Sequence, residues 1–289
     1  GDVYKRQILL LIILSSAIIS FSFLSSVKAE TAILSINPSS GGVGTLVQLN
    51  GNISTPNGSY IIKFDEDEVV SGNASEYEVN ATFLIPNTFK GSHDVTLIDV
   101  STGENDTITF TVTTSYSLQV PELPSPTQRQ EGDSVQIILN ITGGEKNSLY
   151  IANVTVQTPS NASYVKLVNV TTSVYGNGTK TVSFPDNFEN ATTGYVGEYN
   201  VFFNTTLSQA TFFVGLTNAR EYHREQIVSI KAIGYKAGEN LTITISTGEK
   251  TLHYQSINAT HEGKIYACLL YTSDAADEGL GVDLGGRRI

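Results

Sequence analysis

The chain has no methionine and no tryptophan, and only one of its 289 residues, Cys268, is a cysteine. A single thiol makes no internal disulfide, so any core must hold by packing and hydrogen bonding alone. Small exported domains of animal type usually lean on disulfides, and their absence directs the reading toward a prokaryotic surface. Basic side chains are scarce, with 17 Lys and Arg against 28 Asp and Glu and a net charge of −11. They do not cluster, which excludes nucleic acid and an anionic membrane as partners. After the first thirty residues no segment longer than two turns carries an apolar stripe at helical spacing. Catalytic patterns are missing as well. There is no Gly-X-Ser-X-Gly elbow, and His93, His223, His253 and His261 show no metal-binding spacing. Gly132, Asp133 and Ser134 read as a turn into a strand, because the matching slots elsewhere hold Gly44-Thr45 and Arg224-Glu225. The chain is therefore expected not to be an enzyme.

What is present alternates. Val135, Ile137, Leu139 and Ile141 share one side of an extended segment and leave Gln136 and Asn140 on the other. The same parity turns Val79, Ala81 and Phe83 inward against Asn80 and Thr82, and Val201 and Phe203 inward against Asn204. Turn signals such as Pro38–Gly42, Pro56–Ser59, Gly143-Gly144 and Gly176–Gly178 separate short runs of this kind, the pattern of a sandwich or barrel. A series also recurs. Phe83–Pro86, Gly91–Leu97 and Thr109–Val112 return about a hundred residues later as Val182–Pro185, Gly197–Phe203 and Thr211–Val214. Three units are expected, at 31–115, 116–216 and 217–267, the last cut short. Pro121, Pro124 and Pro126 form a stiff connector or first edge of the second unit.

Asparagine carries the other signal. Fourteen of the 21 asparagines lie in Asn-X-Ser/Thr sequons: Asn52, Asn57, Asn73, Asn80, Asn105, Asn140, Asn153, Asn161, Asn169, Asn177, Asn190, Asn204, Asn240 and Asn258. Composition alone would place about four there, so the excess reads as N-glycosylation. Such modification requires export. Residues 8–29 supply a route, with Lys5 and Arg6 ahead of an apolar run and small residues near Ala29 in the layout of a signal peptide. Residues 1–7 and 268–289 resemble translated sequencing-adapter DNA, and the tail abandons the Thr/Val/Asn composition before it; both are expected to be non-native.

The segment from Ile33 to Gly44, the strand ending at Gly51, Tyr60–Phe64 and Phe83–Pro86 together resemble immunoglobulin-like domains of the IPT/TIG type. The stretch Gly234–Ile245 is similar to the opening of another immunoglobulin-like repeat of archaeal and bacterial surface proteins. The resemblance implies an all-β chain of tandem immunoglobulin-like β-sandwiches after an N-terminal apolar signal helix, with no catalytic residues to carry over. The tryptophan and paired cysteines of antibody domains are absent, so the likeness is to the architecture.

One acidic cluster, Asp65, Glu66, Asp67 and Glu68, offers hard oxygen ligands that could hold calcium, although consecutive strand residues would point apart. No other cofactor is implied. Tyr60, Tyr77, Tyr150 and Tyr235 would serve a glycan-binding face or core packing. The function expected is a structural or adhesive module of a secreted, N-glycosylated, S-layer-like cell-surface protein, archaeal by its sequon density. It would meet other surface proteins, glycans or copies of itself, and would touch membrane only through a signal segment or a missing anchor. The alternatives are a carbohydrate- or protein-binding adhesin module and the accessory domains of a secreted hydrolase.

Overall fold

The computed structural model describes residues 29–204, 208–223, 225–247, 250–270 and 280–284. The signal segment before Ala29, residues 1–7, and tail residues 271–279 and 285–289 lie outside them. Every regular element among the described residues is a strand. The chain divides into two compact units, one reaching to Pro86 and resuming over Ser92–Thr111, the other made of Asn87–Gly91 and the chain from Val112 onward.

The first unit is built from β1 (Ala32–Asn37), β2 (Ser40–Gly41), β3 (Leu46–Asn52), β4 (Ser59–Phe64), β5 (Asp67–Asn73), β6 (Glu78–Leu84), β7 (Gly91–Asp99) and β8 (Asn105–Val112). One sheet runs β1-β3-β6 and the other β2-β8-β7-β4-β5. Val47 and Leu49 of β3 and Val79, Ala81 and Phe83 of β6 face Ile62, Phe64, Val95, Leu97 and Phe110, all buried. Two-residue alternation gives each sheet one apolar face, and two such faces make a sandwich. Pro38 lies between β1 and β2, where the first strand leaves one sheet for the other.

The second unit repeats that plan with β9 (Ser115–Gln119), β10 (Arg129–Gln130), β11 (Val135–Thr142), β12 (Leu149–Gln157), β13 (Ser163–Thr171), β14 (Gly178–Phe184), β15 (Gly197–Phe203) and β16 (Ser208–Gly215). Its sheets are β14-β11-β9 and β10-β16-β15-β12-β13, the same order strand for strand. The proline segment 121–126 lies between β9 and β10, outside both strands. It spans the switch from β9 in one sheet to β10 in the other, where a residue without an N–H donor costs no ladder bond.

A second set of strands in this unit is β17 (Ile227–Ala232), β18 (Asn240–Thr247), β19 (Lys250–Asn258), β20 (Ile265–Leu270) and β21 (Leu280–Leu284), with a core of its own drawn mainly from β17, β18 and β20. β17 pairs with β20 as β11 pairs with β14, and β18 sits between β19 and β21 as β12 sits between β13 and β15. Cys268 lies on β20, opposite Ser229 and exposed.

Aromatic packing in the 118–214 core centres on Tyr199, which is fully buried and stacks on Phe212 with ring centroids 4.9 Å apart. The Tyr199 hydroxyl donates to the carbonyl of Tyr195 at 3.0 Å and accepts from the Tyr195 N–H at 3.2 Å. This is the tyrosine corner of immunoglobulin-type sandwiches. Burial pushes its phenol well above the ordinary range. His93 takes the corresponding place on β7, fully packed, stacked on Phe64 at 5.1 Å, with Nδ1 2.7 Å from Asp65 Oδ2.

Candidate functional site

None of the fourteen sequon asparagines is buried; eleven are exposed and Asn52, Asn140 and Asn177 are half-buried. Nine belong to strands: Asn52, Asn73, Asn80, Asn105, Asn140, Asn153, Asn169, Asn240 and Asn258. The other five lie between strands. Of these, Asn57, Asn161, Asn190 and Asn204 have φ of 53°, 65°, 54° and 41°, a left-handed conformation that asparagine tolerates better than most residues. At those four positions the backbone alone accounts for asparagine. Several strand amides join hydrogen bonds through their oxygen, as when Ser59 Oγ donates to Asn73 Oδ1 at 2.8 Å and Thr179 Oγ1 to Asn140 Oδ1 at 2.9 Å. At Asn105, Asn177 and Asn240 the Nδ2, the atom a glycan would take, is itself a donor, to the Gly103 carbonyl at 3.4 Å, to Asn87 Oδ1 and to Asn258 Oδ1 at 2.7 Å.

The acidic cluster does not converge. Asp65 sits at the β4–β5 turn with φ 53°, and its carboxylate accepts from the Asp94 N–H as well as meeting His93. Asp67 and Glu68 enter β5 opposite Phe64 and Lys63, on alternate faces of the strand. Among the described residues no three His, Cys, Asp or Glu side chains are grouped to hold a metal ion. The four histidines fall on β7, a loop, β19 and a turn. The tyrosines are equally dispersed: Tyr60 is core, Tyr77 exposed, Tyr150 packs edge-on against Tyr116, and Tyr235 covers the third core. Ser134 Oγ donates to Asp186 Oδ2 at 2.7 Å and Ser183 Oγ to the same oxygen at 2.9 Å. These bonds hold the Asp186 carboxyl below its ordinary value and tie one turn to the next.

The two cores of the second unit are joined without a linker. β16 ends at Gly215, and Leu216 is already buried in the core of 216–267. Thr217 bridges to Ile230, and the Asn218 N–H donates to the Ser229 carbonyl at 3.0 Å. Side chains from β10 and the residues on either side of it close the joint. Gln130 Nε2 reaches the carbonyls of Leu216 and Ser229 at 2.7 and 2.9 Å, and Gln128 Nε2 those of Thr217 and Ala219 at 2.9 and 3.1 Å. Glu131 is fully buried and accepts from the Ile233 N–H at 3.0 Å, while Lys231 Nζ lies 2.6 Å from Asp133 Oδ1. Nothing in the sequence marked these residues beyond their place ahead of a strand, because their partners lie about a hundred positions away.

Beside this joint a cleft of about 340 Å³ is lined by Val120, Pro126, Glu198 and Phe212 together with Arg129 and Arg220. The two guanidinium groups sit over Phe212 and Phe213, 5.9 and 5.5 Å from the ring centroids. Burial pulls Arg129 below its ordinary value, and Asp133 acts against that shift.

No protein-family model matches the chain. No curated protein matches it either. Among solved structures it is similar to a tetra-tandem repeat in the extending region of a large adhesion protein, at 13% identity and a TM-score of 0.24, over 82% of this chain and 65% of that one. A biofilm-associated protein BSP domain aligns at 14% identity and a TM-score of 0.22, over 65% of this chain and 30% of that one. The central fibronectin-III array of a RIM-binding protein aligns at 14% identity and a TM-score of 0.23, over 91% and 94%. This chain thus spans about two thirds or less of the first two proteins. The immunoglobulin-type architecture rests on strand order and the Tyr199 corner rather than on these superpositions.

Proposed function

We propose that the chain is a non-catalytic structural or adhesive module of a secreted, N-glycosylated cell-surface protein, a stalk or S-layer-like element of a prokaryotic and specifically archaeal envelope. The observation that carries this reading is the linkerless joint at residues 215–233. A binding domain on a flexible tether needs no such joint, whereas an element that transmits load or sets a distance needs its sandwiches fixed. Part-buried hydrogen bonds and a buried carboxylate make bending at Gly215-Leu216 costly, since bending would break those bonds and take the Ile233 N–H from the buried Glu131. Sequons distributed along the chain fit an element exposed over its whole length.

Stiffness is the testable content. With Cys268 replaced by serine, spin labels at Ser160→Cys and His261→Cys report the distance between the two sandwiches of the second unit. A single narrow distance distribution is expected, and a broad one spanning many orientations would defeat the stalk reading. The arginine-lined cleft favours a second reading, a module that binds an anionic glycan or peptide. Titration with a uronic-acid oligosaccharide would separate the two, because saturable binding lost in Arg220→Ala supports only the second.

A further inference from the structure

On the outward face of the β12–β13 hairpin, Leu149, Ile151, Val165 and Leu167 are 59%, 61%, 58% and 61% exposed. Alternation places all four on the side away from Ala152, Val154, Val168 and Val170, which are buried in the core. Together they present on the order of 400 Å² of apolar surface in one place, the size at which a surface patch on a monomer usually has an occupant. β13 is the last strand of its sheet, so the patch runs up to an open edge, where another chain can pair.

The strand register sets two sequon asparagines inside this patch. Asn153 lies directly opposite Leu167, and Asn169 directly opposite Ile151. Opposed residues of an antiparallel pair have Cβ atoms about 5 Å apart and diagonal neighbours about 7–8 Å apart. Each acceptor amide is therefore within one sugar ring of two exposed aliphatic side chains. The asparagines at Asn57, Asn161, Asn190 and Asn204 have a backbone reason to be there. Asn153 and Asn169 stand in mid-strand, where asparagine is disfavoured and neither φ calls for it.

Resting on the glycoprotein reading above, we infer that N-linked glycans at Asn153 and Asn169 cover this apolar face. The first sugar of each lays its C–H surface over Ile151 and Leu167, and the chains beyond close the β13 edge to a second copy of the protein. The cover is a working part of the sandwich, unlike a glycan on an exposed turn.

The test uses the full chain secreted from a yeast that performs N-glycosylation, with glycopeptide mapping, a hydrophobic-dye assay and sedimentation. Occupancy at both sites is expected. The Thr155→Ala/Thr171→Ala variant, which keeps both asparagines but destroys their sequons, should bind about threefold more dye and self-associate. Thr155→Ser/Thr171→Ser, which restores the sequons, should behave as the parent, and loss of the Asn161 sequon by Ser163→Ala should change neither property. Adding Leu167→Glu to the sequon-less variant should return it to monomer, which separates patch-driven association from misfolding. Glycans found elsewhere but absent from Asn153 and Asn169 would overturn the cover and leave the glycoprotein reading intact. A chain bare at all fourteen sequons would overturn both. A sequon-less variant that stays monomeric with unchanged dye binding would overturn the cover alone.

Discussion

Asp99, at the end of β7, shows how one residue couples a buried charge to its turn. Burial raises the carboxyl pKa, but hydrogen bonds from Thr55, Ser54, Ser101 and Thr102 outweigh burial and bring it from the ordinary 3.8 down to about 2. Ser54 Oγ and the Thr55 N–H approach Oδ2 at 2.8 and 2.9 Å, and the Ser101 N–H approaches Oδ1 at 2.9 Å. Because the folded value is depressed, the stabilisation is fully present above pH 3.8 and is lost as pH falls through about 2. Denaturant unfolding followed across that window should show the first unit weakening. Asp99→Asn should flatten the dependence and cost about 1.5–3 kcal/mol at neutral pH, the usual worth of hydrogen bonds to a charged group. At the same scale, the first carboxylate of the acidic run is engaged by His93 and the Asp94 N–H.

At the scale of elements, equivalent strands solve one problem in parallel ways. β7 and β15 both open on a glycine of nearly identical φ, 135° at Gly91 and 134° at Gly197, a conformation that side chains rarely adopt. Their surroundings differ. A Cβ on Gly91 meets nothing within 4 Å, whereas one on Gly197 would lie 2.9 Å from Pro159. Gly91→Ala should therefore cost only backbone strain, about 1–3 kcal/mol, and Gly197→Ala measurably more, as thermal unfolding of the two variants will show. Corner side chains diverge as well, since Tyr199 bonds back to its own loop and His93 to the β4–β5 turn. Either choice pins the strand's entry to the preceding chain.

For the second unit as a whole, the joint decides whether its two cores act as one body. Gln130 makes two hydrogen bonds across it, each worth about 1 kcal/mol, and the partly exposed Lys231–Asp133 pair adds about 0.5 kcal/mol. In the Gln130→Ala/Lys231→Ala variant the two cores should unfold as separate calorimetric transitions, and the distance distribution between Ser160→Cys and His261→Cys should broaden. Unchanged cooperativity would place the stiffness elsewhere.

The sequence by itself determined the class of element and the facing of the strands with clean alternation, because alternation and turn chemistry are local. Val135, Ile137, Leu139 and Ile141 are buried, as are Val79, Ala81 and Phe83, while Asn80 is exposed and Asn140 half-buried. The parallel series of Phe83–Pro86 and Val182–Pro185 was legible for the same reason. Only the tertiary structure decided the strand order, the sheet switch across the prolines at 121–126, the partners of Gln130 and Glu131, and the setting of Asn153 opposite Leu167. Each of these depends on the register between segments far apart along the chain. A one-residue slip would turn every side chain of a strand to its other face while leaving the local pattern unaltered.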